Sequence, residues 1–181
     1  GDAQHVIDLA AAPTVRRGGG WHWDFYRPFI ALALQYDVPL IAANLSNADT
    51  ARIVRDGFAA VFDGPAIVML GLDRPLASDW QLAQEREIDV GHCRALPPSA
   101  WPRLARAQFA RDAVMAHLLR QQASRGGVVL LAGNGHVRRD IGVPRWLGDE
   151  HGRVFTVGFL EEDDESTPAA AAARWSARCV R

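Results

Sequence analysis

The chain contains no lysine: all 20 of its basic residues are arginine. Arginine's planar fork suits carboxylates better than an ammonium does, although a GC-rich coding bias accounts for the same composition more simply. Cysteine is almost as scarce. Cys93 and Cys179 make neither a disulfide framework nor a metal knuckle. No apolar run approaches the ~18 residues of a membrane span, no signal peptide opens the chain, and no internal repeat is visible. A net charge of −1 gives no basic surface for nucleic acid or an anionic membrane. What remains, at 49% hydrophobic and 23% charged residues, is an ordinary globular composition, long enough to bury a real core.

The most informative stretch runs from Gly126 to Pro144. Val128–Ala132 is a short apolar run that follows a glycine pair and stops at Gly133-Asn134-Gly135-His136. Such a run reads as a strand buried on both faces, as in a helix-covered parallel sheet. Ligands of open α/β sheets sit at the carboxyl ends of these strands, which sets Asn134 and His136 at the mouth, with Arg138, Arg139 and Asp140 just beyond. A tight strand exit carrying a surface histidine reads the same spacing equally well, because Gly-x-Gly is a weak signal. Val38–Asn44 is a second such run, ending in the polar exit Asn44-Leu45-Ser46-Asn47. Val154–Leu160 is a third. The fold class expected is therefore α/β, a mostly parallel sheet with helices on both faces.

Between these runs the spacing is helical. Asp2–Ala12 sets Ala3, Val6, Ile7, Ala10 and Ala11 on one face, and Pro13 ends it. Asp24 is placed to cap a helix through Tyr36, with Pro28 in its first turn and Phe29, Leu32, Ala33 and Tyr36 on one side. The surrounding aromatics read as core. Ser46 or Asn47 caps a helix that Asp56-Gly57 closes, and Ala66–Leu72 leans to helix. Ser78-Asp79-Trp80-Gln81 has capping-box spacing. Glu85 and Glu87 lie about 200° apart on the helix that follows, which rules them out as a paired acid and base. Gly91-His92-Cys93 breaks that helix, and one His beside one Cys falls short of a zinc site.

The longest helix expected is Ser99–Ser124. Leu104, Ala107, Phe109, Val114, Leu118 and Leu119 give it a broad apolar surface, while Gln108, Asp112 and Met115 share a stripe beside Arg111. A polar stripe there either faces solvent or, if buried, finds partners at the sheet mouth. The acidic run Glu161–Glu165 and the Ala-rich 169–173 read as a frayed tail, 161–181.

Several segments taken together resemble the ChaN-like family of haem-binding uptake proteins in the Tiki/TraB/erythromycin-esterase superfamily. They are Trp23 with Tyr26-Arg27-Pro28-Phe29; Ala42 to Ser46; Gly91-His92-Cys93 with Leu96-Pro97; Ala107 to Asp112 with Met115-Ala116; and Ala132 to Arg138 with Asp140 and Gly142-Val143-Pro144. They occur in family order over roughly residues 1–160, read as one α/β domain. The family's opening strand, ending in Gly-Glu-x-His, has no counterpart here, and neither does its lipoprotein signal. The resemblance therefore implies a chain corresponding to the C-terminal two-thirds of a family member.

On this resemblance the expected ligand is haem or a related small molecule. The site residues expected are His136 (the metal ligand), His92, Tyr26, Asn44, Asn134, Arg138 and Asp140, supported by Gln108, Arg111 and Asp112. Histidine and tyrosine are axial ligands of haem iron, and arginine is a propionate partner. The resemblance further implies a homodimer and a periplasmic or outer-membrane lipoprotein, membrane-bound only through an anchor outside this chain. Two alternatives remain open: a hydrolase of the Tiki kind using a divalent metal ion, with His136 as metal ligand or general base, and a truncated scaffold without activity.

Overall fold

The computed structural model describes residues 2–11, 22–124, 126–148 and 154–159. Its regular structure is helical: α1 (Ala3–Ala11), α2 (Trp23–Gln35), α3 (Asn47–Asp56), α4 (Gly64–Met69), α5 (Ser78–Gly91), α6 (Trp101–Ala123), α7 (Asn134–Val137) and α8 (Val143–Trp146). Among the described residues there is no β-strand, which overturns the α/β fold with its mostly parallel sheet.

The physical reason lies in how the apolar runs are used. Leu130 and Ala132 are half-buried and pack against Met115, Ala116, Val143 and Leu147. Val129 and Leu131 turn outward, 85% and 39% exposed. The run is extended, but it lays one edge of its side chains on helices and gives the other to solvent, with no strand among the described residues to pair its backbone. Leu40 and Ile41 are likewise exposed, and Val154–Phe159 alternates in the same way, with Val154 inward and Phe155 outward. An apolar run reports that burial is wanted; it cannot by itself supply the ladder that makes a sheet. The expected tail, 161–181, and the segment 14–20, whose two arginines and three glycines read as a flexible loop in the sequence, lie outside the described residues.

The chain divides into two units, Gly1–Ala42 and Ala43–Arg181. In the first, α1 and α2 pair, each with one buried isoleucine, Ile7 and Ile30. Arg27 Nη2 donates to Gln4 Oε1 at 2.5 Å across the pair. The helix α2 starts one residue before Asp24, so Asp24 lies in its first turn rather than at the cap, and Pro28 falls inside the helix. Phe25, Phe29, Leu32 and Tyr36, expected largely as core, are exposed, because two short helices facing each other can cover only one face each.

The second unit is built around α6. Ala107, Ala110 and Ala113 meet Ile53 of α3 together with Leu70 and Leu72. Ala105 and Phe109 meet Trp80 and Ile88 of α5 and Ile141. Met115 and Ala116 meet Val143 of α8 and Leu147. The alanines leave space for neighbouring backbones to come close, and Trp146 packs against all three clusters. Helix ends are set locally: Ser46 Oγ accepts from Asp49 N–H at 3.0 Å, Gly57 closes α3 at φ +88°, and Asp63 Oδ1 accepts from Ala66 N–H at 2.8 Å. Ser78 does not form the expected capping box; Ala77 is the N-cap of α5 and offers no side-chain acceptor.

Two tryptophans at this junction test the cost of an unpaired donor. Trp80 Nε1 donates to Ile141 O at 3.1 Å, whereas the buried Trp146 Nε1 has no partner among the described residues. Trp→Phe removes the same ring area at both, but at position 80 it also strands a carbonyl. Trp80→Phe is expected to lose about 1–3 kcal/mol more than Trp146→Phe in urea unfolding. Equal losses would show that the Trp80 hydrogen bond carries no net stability.

Candidate functional site

Asp112 lies on α6 and is 2% exposed, the only buried carboxylate among the described residues. A buried carboxylate needs partners, and α7 brings one: His136 Nδ1 stands 2.6 Å from Asp112 Oδ1, with the imidazole 17% exposed. Opposite a carboxylate, Nδ1 carries the proton and donates. Nε2 is left as the lone-pair nitrogen, and it has no hydrogen-bond partner among the described residues. Burial pushes the Asp112 carboxyl above its ordinary range; the His136 hydrogen bond, the His136 charge and the Arg111 charge pull it back without reversing the direction.

The turn that carries His136 is held tightly. His136 N–H donates to Gly133 O at 2.9 Å, Asn134 Nδ2 donates to Phe159 O at 2.9 Å, and Gly142 N–H donates to Arg138 O at 2.9 Å. Gly142 packs against the turn so closely that a Cβ would lie 2.6 Å from the His136 carbonyl carbon and 2.7 Å from Gly135 O. Glycine is required there for the approach of two backbones, not for an unusual φ.

Around this pair, the remaining candidates divide. Arg111 Nε donates to Thr50 Oγ1 at 3.1 Å and Arg111 Nη2 to Asn47 Oδ1 at 3.4 Å, tying α6 to the first turn of α3; burial lowers its pKa. Gln108 is half-buried with no polar partner among the described residues. Asn44 turns back on its own chain, its Oδ1 accepting from Leu45 N–H at 2.8 Å. Arg138 bridges Glu87 at 2.5 Å and Asp140 at 2.6 Å. Its hydrogen bond to Asp140 is the main cause that raises the guanidinium pKa and lowers that of Asp140.

His92 ends α5 with Nδ1 2.8 Å from Ile88 O, and Cys93 is disulfide-bonded. Tyr26 belongs to α2 in the other unit, edge-on to Trp23 at 6.3 Å. The structure thus brings Asp112 to His136 and Asp140 to Arg138, sends Arg111 to α3, leaves Gln108 with no polar partner among the described residues, and does not bring the others to the Asp112–His136 pair. Thr50 and Glu87, which hold Arg111 and Arg138, stood out in no motif; a threonine or glutamate on a helix carries no sequence signal of its distant partner.

Chemically, an imidazole fixed by a buried carboxylate can ligate a metal through Nε2 or take a proton there. Comparison with known proteins adds a family. The family model described as haem-binding uptake, Tiki superfamily, ChaN matches residues 8–147. No curated protein and no solved structure matches the chain.

The closeness of Gly142 to the His136 turn makes a sharp test. Gly142→Ala is expected to cost about 1–3 kcal/mol of stability by forcing the turn away from α8. Gly133→Ala, where a Cβ meets nothing within 4 Å, should fall within about 0.5 kcal/mol of wild type. Urea unfolding gives both numbers, and the His136 ring nitrogen resonances report whether the bond to Asp112 survives.

Proposed function

The chain belongs to the haem-binding uptake family of the Tiki superfamily, and we propose that it binds haem through His136 in the service of haem or iron uptake. The observation that supports this is the Asp112–His136 pair: one ring nitrogen is engaged at 2.6 Å by a buried carboxylate, and the other is unengaged. A carboxylate behind a ligating imidazole fixes its tautomer and raises its basicity. Haem supplies an iron already held by four porphyrin nitrogens, and so asks the protein for only one or two axial ligands.

The donor set fits that demand. Among the described residues no three His, Cys, Asp or Glu side chains converge as a metal-holding group, whereas a hydrolytic zinc ion is held by about three protein ligands. His136 is the iron ligand in this reading. His92 and Tyr26 are not assigned to iron, and Arg138 meets a propionate only by giving up Glu87 or Asp140. The proposal includes a homodimer and a periplasmic or outer-membrane location; the disulfide at Cys93 suits an oxidising compartment. The Asp112–His136 pair equally has the form of an oriented general base, which keeps metal-dependent hydrolysis as the second reading.

Titrating haemin into the full chain is expected to give a Soret band that saturates at a fixed stoichiometry. His136→Ala should abolish or shift the ligated spectrum. Asp112→Asn should weaken binding about 10–100-fold. His5→Ala, on the exposed side of α1, should change nothing. A His136→Ala spectrum identical to wild type overturns the assignment. Uptake of no haemin together with metal-dependent ester or peptide hydrolysis replaces it with the hydrolase.

A further inference from the structure

About one to two turns before Asp112, α6 borders a cavity of about 500 Å³, within the usual range of small-molecule pockets. Phe58, Leu76 and Phe109 give it apolar walls, and Arg74, Arg106 and Ser78 give it polar groups; no acidic side chain lines it. Neither arginine has a hydrogen bond or ion pair among the described residues, a state shared in the same unit by the exposed Arg86 and Arg103, while Arg52, Arg111, Arg138 and Arg145 are engaged. Arg106 is half-buried, and its Nη1 lies so near Gly57 that a Cβ there would meet it at 3.3 Å. A partly desolvated guanidinium without an acceptor is unfavourable; an anion in the fork of its N–H groups restores what burial removed.

A second feature points the same way. Ser78 begins α5, and its hydroxyl has no hydrogen bond among the described residues, so it joins the two guanidiniums as a free donor at the cavity; the Trp80 and Gln81 amides are already taken by Ala77 O. Nothing in its lining could ligate iron, since it holds no histidine, tyrosine, cysteine or methionine. The cavity is therefore separate in chemistry from the His136 site.

We propose that this cavity binds a small amphipathic carboxylate, its apolar body against Phe58, Leu76 and Phe109 and its carboxylate held by Arg74 and Arg106. A planar carboxylate matches the arginine fork, and the apolar walls require a body that inorganic anions lack. The proposal does not depend on haem.

The test is calorimetric titration of the full chain with decanoate, below its micelle concentration, with decanol and inorganic phosphate as parallel arms. Decanoate is expected to bind saturably at one per chain. Decanol and phosphate should each bind at least about tenfold more weakly, and Arg106→Gln should weaken decanoate by about tenfold or more, as loss of a charged hydrogen bond predicts. Arg74→Gln, at an exposed position, gives an independent reading if Arg106→Gln unfolds, which circular dichroism shows. His136→Ala should bind decanoate as wild type does. No saturable binding, equal binding of decanol or phosphate, unchanged affinity in the folded arginine variants, or loss of binding in a His136→Ala variant that circular dichroism shows folded each overturns the proposal. The last would move the ligand to the histidine; separate haemin data on the same variants keep the two sites distinguishable.

Discussion

The second unit depends on one constraint: α6 is buried on three sides, and everything else is arranged to cover it. Ala105, Ala107, Ala110, Ala113 and Ala116 run along it, so the neighbours approach its backbone while Phe109 and Met115 fill what the alanines leave. Methyl-sized side chains contribute little apolar area individually; their value is close packing, where dispersion adds up over many contacts. Trp146 joins the three clusters, and Arg120 Nη2 reaches its carbonyl from the far end of α6. The short α8 is thereby locked to the long helix at both side chain and backbone.

Within that constraint a carboxylate at position 112 is costly unless it is answered. Its position on α6 is closed to solvent, and the turn at α7 supplies the imidazole. The sequence 133–144 then reads as a device for that one purpose. Gly142 lets the turn approach, Val143 and Leu147 anchor the segment after it on Met115 and Ala116 of α6, and Arg138 engages Asp140 and Glu87 so that the segment leaving the turn is held as well. Arg111 faces the other way and joins the capped start of α3. One turn of helix thus sends adjacent charged residues to two different elements.

The longer helices were legible because each carries its own evidence, such as spacing at 3.6 residues, a Ser46 cap or a Gly57 stop, whereas the four-residue α7 and α8 are too short to show a period and were not read. The sheet was misread because a strand's evidence is half elsewhere. Val128–Ala132 and Leu40–Ala43 have the composition of buried strands, yet Leu130 and Ala132 satisfy themselves on α6 and α8 while Val129 remains in solvent. Position 112 was legible as a choice, solvent or partner, but not as an answer; the pairing with His136 spans 24 residues and no local pattern encodes it. The capping box at Ser78 failed for a related reason. Its spacing was correct, but the helix begins at Ser78 itself, so the hydroxyl is left at the cavity rather than on its own backbone.

That displacement of one residue shows how the two chemistries share α6. Toward its N-terminal half the helix is flanked by arginines without acceptors and by apolar walls, an environment that stabilises a negative charge brought from outside. At its middle the protein supplies the negative charge itself, in Asp112, and what it leaves open is a lone pair on His136. On the two proposals the first arrangement would take an anion and the second a metal or a proton. The same helix carries Asp112 and Arg106, while Arg74 precedes α5 and His136 stands on α7. Tight packing of small side chains along α6 therefore does more than add stability: it keeps Asp112 out of water, and the imidazole of His136 is what answers that buried charge.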